Sequence, residues 1–320
     1  MSAFFVFQAF SGTRRTIHGQ IGTDGWQIVV STTIASEQID LDGGARLSFL
    51  KAGPMDGQPL ILLHGIPTGA ELWRGIMPSL AEVGYRCFAP NLPGYGTTRI
   101  GLHGDYSIFG SAQLIDRWLE VSELEDVWLV GHDWGGAVAQ VIAARYSDRL
   151  SRLTLSNCPV EDSWPVPAIS LFRLLARAGL YAPSAALRLI PNPYANSQLN
   201  KAFYDRSLVA KADWNRIFWD SKVSDAAGRA EFQHHLASLD NSQTIEIAPE
   251  LRLVDTPALL VWGSNDRFQP WERVGVRLKE LLPNPEIKLI ERAGHFHVLE
   301  KPDTFVEALI DWRHKLEEPI

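Results

Sequence analysis

Cysteine is almost missing from this chain: Cys87 and Cys158 are the two in 320 residues. They offer no closely spaced ligand pair and no framework of bridges. That excludes a zinc-ribbon or disulfide-scaffold protein and points to a reducing compartment, the cytoplasm. Runs of one charge are missing too. Lys and Arg number 30, Asp and Glu 37, and the net charge of −7 is dispersed. Nothing in this dispersion suggests a nucleic-acid groove or an anionic membrane surface as partner. No apolar run approaches the roughly 20 residues that cross a bilayer. Residues 3–10 are apolar but short, and the basic pair Arg14 and Arg15 follows them, the reverse of the order in a secretory signal. Repeats and low-complexity tracts are absent, which removes solenoid and disordered classes.

What remains is a globular composition, 46% apolar and 21% charged. Eleven tryptophans point to an aromatic-rich interior or pocket. Residues 1–36 show no periodicity and read as an N-terminal arm of unknown role. From residue 37 the pattern is regular. Residues 37–42 and 46–52 read as strands joined by the turn Asp42-Gly43-Gly44. The short apolar run at 59–63 suits a strand buried on both faces, 86–89, 127–131 and 150–156 read as further strands, and they alternate with helical spacing at 71–83, 108–121 and 135–145. Residues 159–252 hold helical segments, Trp, Tyr and several prolines, but no convincing strand. Alternation then resumes, with strands at 258–263 and 286–290 and helices at 271–282 and 302–316. The fold class is therefore α/β: a doubly wound, mostly parallel sheet from residues 37–158 and 253–320, with a helical cap inserted at 159–252.

Four motifs stand at the carboxyl ends of these strands. Gly131-His132-Asp133-Trp134-Gly135-Gly136 joins a buried strand to a small-residue helix. That is the setting of a nucleophile elbow, whose tight turn exposes the middle side chain at a helix N-terminus. Here that side chain is Asp133, stabilised as an anion by the helix end and nearby N–H groups. An Asp that merely caps a helix is the plainer reading, but a cap does not require the flanking glycines. His64-Gly65-Ile66-Pro67-Thr68 follows the 59–63 strand. Its Ile66 N–H, with the Trp134 N–H, can face a developing oxyanion. Asp266 in Trp262-Gly263-Ser264-Asn265-Asp266 and His295 in Ala293-Gly294-His295 complete the order nucleophile, acid, base. His297 lacks the preceding Ala-Gly. His64 and His132 read as loop-supporting residues, Cys158 as a packing residue, and Asn157, being neutral, cannot serve as the acid.

With these four motifs the chain resembles the α/β-hydrolase fold family over roughly residues 37–316. The aspartate elbow resembles the branch of haloalkane dehalogenases and epoxide hydrolases. His64-Gly65-Ile66-Pro67-Thr68 followed by Leu72-Trp73-Arg74 looks most like the dehalogenases. The resemblance implies displacement at a saturated carbon, an alkyl ester on Asp133, and hydrolysis by water that His295 activates with Asp266 orienting it. It implies a small apolar organic substrate, water as co-substrate, and no metal or organic cofactor. A departing halide calls for indole N–H donors, with Trp134, Trp164, Trp214 and Trp219 as candidates. A departing epoxide oxygen calls for cap tyrosines, with Tyr181, Tyr194 and Tyr204 as candidates. Many dehalogenases carry Asn where this chain has Ile66, and no cap tyrosine follows Tyr204, so each pattern is incomplete. Carbon–halogen hydrolysis is the favoured expectation. Epoxide opening, ester or lactone hydrolysis, and a non-catalytic ligand receptor are the alternatives.

Overall fold

The computed structural model describes residues 16–22, 25–31, 33–190, 197–220 and 225–318. Ten strands are seen among them. β1 (Thr16–Gly22) and β2 (Gly25–Ser31) pair antiparallel by themselves, in the segment where glycines conceal any alternation. The other eight are β3 (Ala35–Asp40), β4 (Arg46–Ala52), β5 (Gln58–Leu63), β6 (Tyr85–Pro90), β7 (Val127–His132), β8 (Leu150–Ser156), β9 (Ala258–Gly263) and β10 (Glu286–Ile290). They form one sheet in the order β10-β9-β8-β7-β5-β6-β4-β3. β4 runs antiparallel to both β3 and β6, and every other pairing is parallel.

Alternate residues of the central strands feed two separate apolar cores. Leu60, Leu62, Trp128, Val130, Leu259 and Val261 enter one, and Ile61, Leu63, Leu129, Leu260 and Trp262 the other. A sheet covered on both faces has no polar side to show, which is why these strands read as continuous apolar runs. The helices α1 (Met77–Glu82), α2 (Ile108–Val121) and α3 (Trp134–Arg145) belong to this layered core.

The helical reading of residues 71–83 is only half right. A short tight turn, Ala70–Trp73, precedes α1, with Gly75 and then Pro78, at the start of α1, between them. Proline has no N–H to give to the preceding turn, so an unbroken helix cannot pass it. Likewise 271–282 opens with one wide turn, Trp271–Gly275, before the Val276–Leu281 helix.

Between β8 and β9 the described residues contain no strand. They hold α4 (Ser170–Arg177), α5 (Tyr181–Ala186), and the helices Ala226–Ser238 and Ser242–Ile247, among shorter turns. α4 and α5 pack on Ala226–Ser238. The strand order reverses at β5, which lies between β6 and β7. Crevices in such sheets open beyond the carboxyl ends at that reversal, and both the Gly65-Ile66 loop and Asp133 leave the sheet there. No helix among the described residues is long and apolar enough to cross a membrane.

Candidate active site

β7 is buried along all six residues, and its next residue, Asp133, takes φ 50° and ψ −122° before α3 begins. Such a conformation is strained for a residue with a Cβ and persists only where surrounding packing enforces it. The enforcement is visible at the neighbouring glycines. A Cβ on Gly136 would sit 2.2 Å from the Cβ of Cys158, and one on Gly65 would sit 2.3 Å from the Cβ of Asp133. The start of α3 thus packs on the segment after β8, and the Gly65 loop on Asp133, at distances only glycine allows.

The Asp133 carboxylate is buried, and its Oδ1 accepts the Ile66 N–H at 2.7 Å. Of the two expected oxyanion donors, Ile66 is the one that reaches it. The loop carrying Ile66 is held from outside. His64 Nε2 accepts the Leu92 N–H at 3.0 Å, His64 Nδ1 lies 3.0 Å from the Gly65 carbonyl, and Thr68 Oγ1 donates to that carbonyl at 2.8 Å. His64 is therefore a neutral brace, as its place beside the motif suggests.

His295 stands between two carboxylates. Its Nδ1 is 2.8 Å from Asp266 Oδ2 and its Nε2 is 3.4 Å from Asp133 Oδ2. Burial disfavours the imidazolium, but the Asp266 charge, the interaction with Asp133 and the bond to Asp266 outweigh it, and the pKa rises to about 10. Burial likewise works against ionisation of Asp266. It is overcome by the His295 charge and by hydrogen bonds from His295, Asn157 and the Gln269 N–H, so Asp266 is held below its ordinary range. Asn157 Nδ2 donates to Asp266 Oδ2 at 2.5 Å, while Asn157 Oδ1 accepts the Gly263 N–H at 3.0 Å. Asp266 Oδ1 accepts the N–H groups of Phe268 and Gln269. Asn157, set aside as an acid because it is neutral, touches Asp266 directly. His297 is turned away, with Nε2 3.1 Å from Ser156 Oγ, and burial pushes its pKa down to about 3.

On the cap side, two indoles face each other. The rings of Trp134 and Trp164 are 5.8 Å apart, both are buried, and neither Nε1–H has an acceptor among the described residues. Two further groups escaped sequence reasoning. His235, on the Ala226–Ser238 helix, is fully buried with its ring 5.2 Å from Trp134 and 5.2 Å from Tyr95. The Tyr106 carbonyl bears on its ring, but neither ring nitrogen makes a hydrogen bond of normal geometry, and burial pushes its pKa down to about 3. Tyr95, in the Pro93-Gly94-Tyr95-Gly96 loop, is fully buried. Burial first, then the charges of Asp133 and Tyr181, push its hydroxyl well above the usual phenol range. A loop tyrosine between glycines gives no periodic signal. His235 lies on a helix with no apolar stripe and beside a second histidine, so it too was hidden.

The remaining candidates separate. Tyr181 is buried against Phe232 and Phe172. Trp219 is partly buried on the same core. Trp214 lies in the other core, packed on Phe203 and Phe218, and these rings meet Phe296 beside His295. Tyr204 is 47% exposed with Arg292 over its ring, so it faces outward instead of into a pocket. Its neighbours turn it there, because the adjacent Ala202 and Phe203 occupy the buried side. Tyr194 lies outside the described residues.

A sequence profile of the alpha/beta hydrolase fold matches residues 58–302. A haloalkane dehalogenase of Mycobacterium marinum is 32% identical over 179 residues, 52% of this chain, and the chain spans 59% of that relative's length. Epoxide hydrolase 2 of Caenorhabditis elegans is 25% identical over 283 residues, covering 80% of this chain and 74% of that protein. The solved epoxide hydrolase CorEH superposes with a TM-score of 0.72 at 24% identity, over 89% of this chain and 100% of that one, a likeness of fold. With the profile spanning most of the sheet and the cap, this chain belongs to the α/β-hydrolase fold family.

Proposed function

We propose that the protein is a hydrolase that works through an ester on Asp133, and that its leaving group is a halide carried on a small apolar organic substrate. The observation behind this reading is the asymmetry of the Asp133 carboxylate. Oδ1 is held by the Ile66 N–H, while Oδ2 faces His295 Nε2 across 3.4 Å. Oδ2, with only this longer contact among the described residues, is the oxygen that attacks the carbon, and the carbon–halogen bond breaks as the new C–O bond forms. The ester carbonyl is then Oδ1, already placed against a donor that stabilises the tetrahedral oxyanion.

Charge orders the two steps. In the resting enzyme His295 is pinned as a cation by two carboxylates and cannot take a proton. Alkylation neutralises Asp133 and removes part of what raises the His295 pKa. His295 then gives its Nε2 proton to solvent, and the neutral imidazole accepts a proton from the water that attacks the Asp133 carbonyl carbon. Asp266, held by Asn157, keeps the ring in the productive tautomer. The two indole N–H groups without acceptors, on Trp134 and Trp164, suit a departing anion. Residues 159–252 act as a lid that excludes water from the first step, over a core made of 37–158 and 253–320, with 1–36 as an arm.

A second reading draws on the tyrosines. Tyr95 and Tyr181 are both buried, and Tyr95 feels the charges of Asp133 and Tyr181. A pair of phenols near the nucleophile suits protonation of an epoxide oxygen. The experiment compares Trp134→Phe with Tyr95→Phe and Tyr181→Phe on haloalkanes, epoxides and activated esters. Losing one hydrogen bond to a departing anion costs roughly 1.5–3 kcal/mol, about one to two decades in rate. Halide release that drops by that amount in Trp134→Phe supports the first reading. Turnover confined to epoxides and sensitive only to a tyrosine replaces it with the second.

A further inference from the structure

Among the described residues, the cap has an outward face that its own packing does not use. Leu171, Leu174, Leu180, Leu187 and Leu189 are each 52–70% exposed, an unusual concentration on α4, α5 and the turns that follow them. The inner side of the same helices is closed, with Ala176, Tyr181 and Ala185 buried and both helices packed on Ala226–Ser238. Leu171, Leu174 and Arg177 recur every three residues and form one outer stripe. Isolated exposed leucines are ordinary, but five within the nineteen residues from 171 to 189 are a concentration that marks a contact surface.

Charge identifies the partner. Between residues 163 and 204 there is no Asp or Glu, whereas Arg173, Arg177 and Arg188 lie among the leucines, in a chain of net charge −7. The acids of the underlying helix are engaged elsewhere. Asp225 pairs with Arg99, and Glu231 accepts the N–H groups of Ile100 and Gly101. Asp240, the acid that bears on Arg173, accepts from the Ser242 N–H and hydroxyl. A second copy is a poor occupant, because a two-fold contact sets the same cations against each other. Leucines with arginines and no acid match the boundary between lipid head groups and acyl chains.

We propose that the outer face of α4 and α5 docks the protein on an anionic phospholipid surface, with the leucines in the acyl boundary and the arginines among lipid phosphates. The dispersed charge of the whole chain hid this local balance. The inference is independent of the chemistry at Asp133. Docking here lays the cap against the bilayer, the phase in which apolar substrates concentrate.

The test is flotation of the full chain with phosphatidylcholine vesicles and with mixed phosphatidylcholine–phosphatidylglycerol vesicles. The expected result is co-flotation with the mixed vesicles, weakened as salt rises above about 0.1 M. Each cation at an anionic surface contributes roughly fivefold to partitioning. Arg177→Gln with Arg188→Gln therefore lowers it by about 25-fold, and Leu174→Gln with Leu187→Gln by at least about tenfold. Arg188 and the leucines are exposed, so their replacement changes thermal stability little, whereas Arg177→Gln also gives up hydrogen bonds to the Ala237 and Leu239 carbonyls; a cooperative melt with Tm well above the assay temperature reports an intact fold. Failure to float with the mixed vesicles overturns the proposal, as does flotation that these variants do not alter. Concentration-dependent self-association without flotation, lost in the leucine variant, overturns it in favour of a second copy.

Discussion

Replacing Asp266 by Asn exchanges one oxygen for an NH2 group, and the structure fixes where that group must go. Asp266 Oδ1 accepts the Phe268 and Gln269 N–H groups at 2.7 and 3.1 Å, so the amide oxygen stays there. The NH2 group then takes the place of Oδ2, facing two donors, Asn157 Nδ2 at 2.5 Å and His295 Nδ1 at 2.8 Å. Asn157 cannot simply flip, since its Oδ1 accepts the Gly263 N–H. His295 is left to accept at Nδ1 and to carry its proton on Nε2, the nitrogen that must take a proton from water. A buried donor without its acceptor costs about 1–3 kcal/mol, and the variant should lose that much stability. A base in the wrong tautomer costs roughly 10⁴-fold. The loss should fall on ester hydrolysis alone, because attack by an ionised carboxylate needs no base. Rapid-quench mass spectrometry with an activated haloalkane measures both steps. The expected outcome is an adduct that forms at a rate near wild type and decays about 10³–10⁴-fold more slowly. Decay at the wild-type rate, or equal loss in both steps, refutes the assignment of Asp266.

Other consequences follow from the same geometry. His295 has its pKa raised from 6.5 to about 10 in the folded state, so its contribution to stability is complete below pH 6.5 and is lost as pH rises through about 10. Within that window stability falls by at most about 1.36 kcal/mol for each pH unit. Urea melts across the window should show this decline, and His295→Gln should largely abolish it. Gly136→Ala forces a Cβ to within 2.2 Å of the Cys158 Cβ, between backbones that cannot part. Such overpacking costs about 1–3 kcal/mol, read as a lowered Tm, and an unchanged Tm contradicts the close approach of strand and helix. His235 has no well-formed hydrogen bond, so His235→Phe should leave Tm unchanged or raised, and a clearly lowered Tm contradicts this.

Much of this architecture is legible in the residues alone. The 108–121 helix and the strands at 150–156 and 258–263 match the observed bounds, because the residues they bury keep an unbroken pattern; the strand at 286–290 also matches, though at the sheet edge it buries only Ile290. The convergence of Asp133, Asp266 and His295 follows from motifs at the carboxyl ends of strands, where a parallel sheet gathers its loops. Tertiary partners are not legible in this way. Asn157 carries no charge to mark it, and its contribution is two hydrogen bonds. Tyr95 and His235 come from a turn and from an uneven helix, and only the docking of the cap brings them together near Trp134. The outward turn of Tyr204 has the same origin, since composition cannot say which side of a cap segment a tyrosine will take.

The central claim is that the oxygen delivered to the product comes first from Asp133 and not from bulk water. A single turnover in heavy-oxygen water, with enzyme in excess, tests it directly. Water attacks the Asp133 carbonyl carbon, so the first product should carry ordinary oxygen and the peptide containing Asp133 should gain the heavy isotope. Heavy oxygen in the first product, with that peptide unlabelled, would show direct attack of water on the substrate and contradict the covalent route.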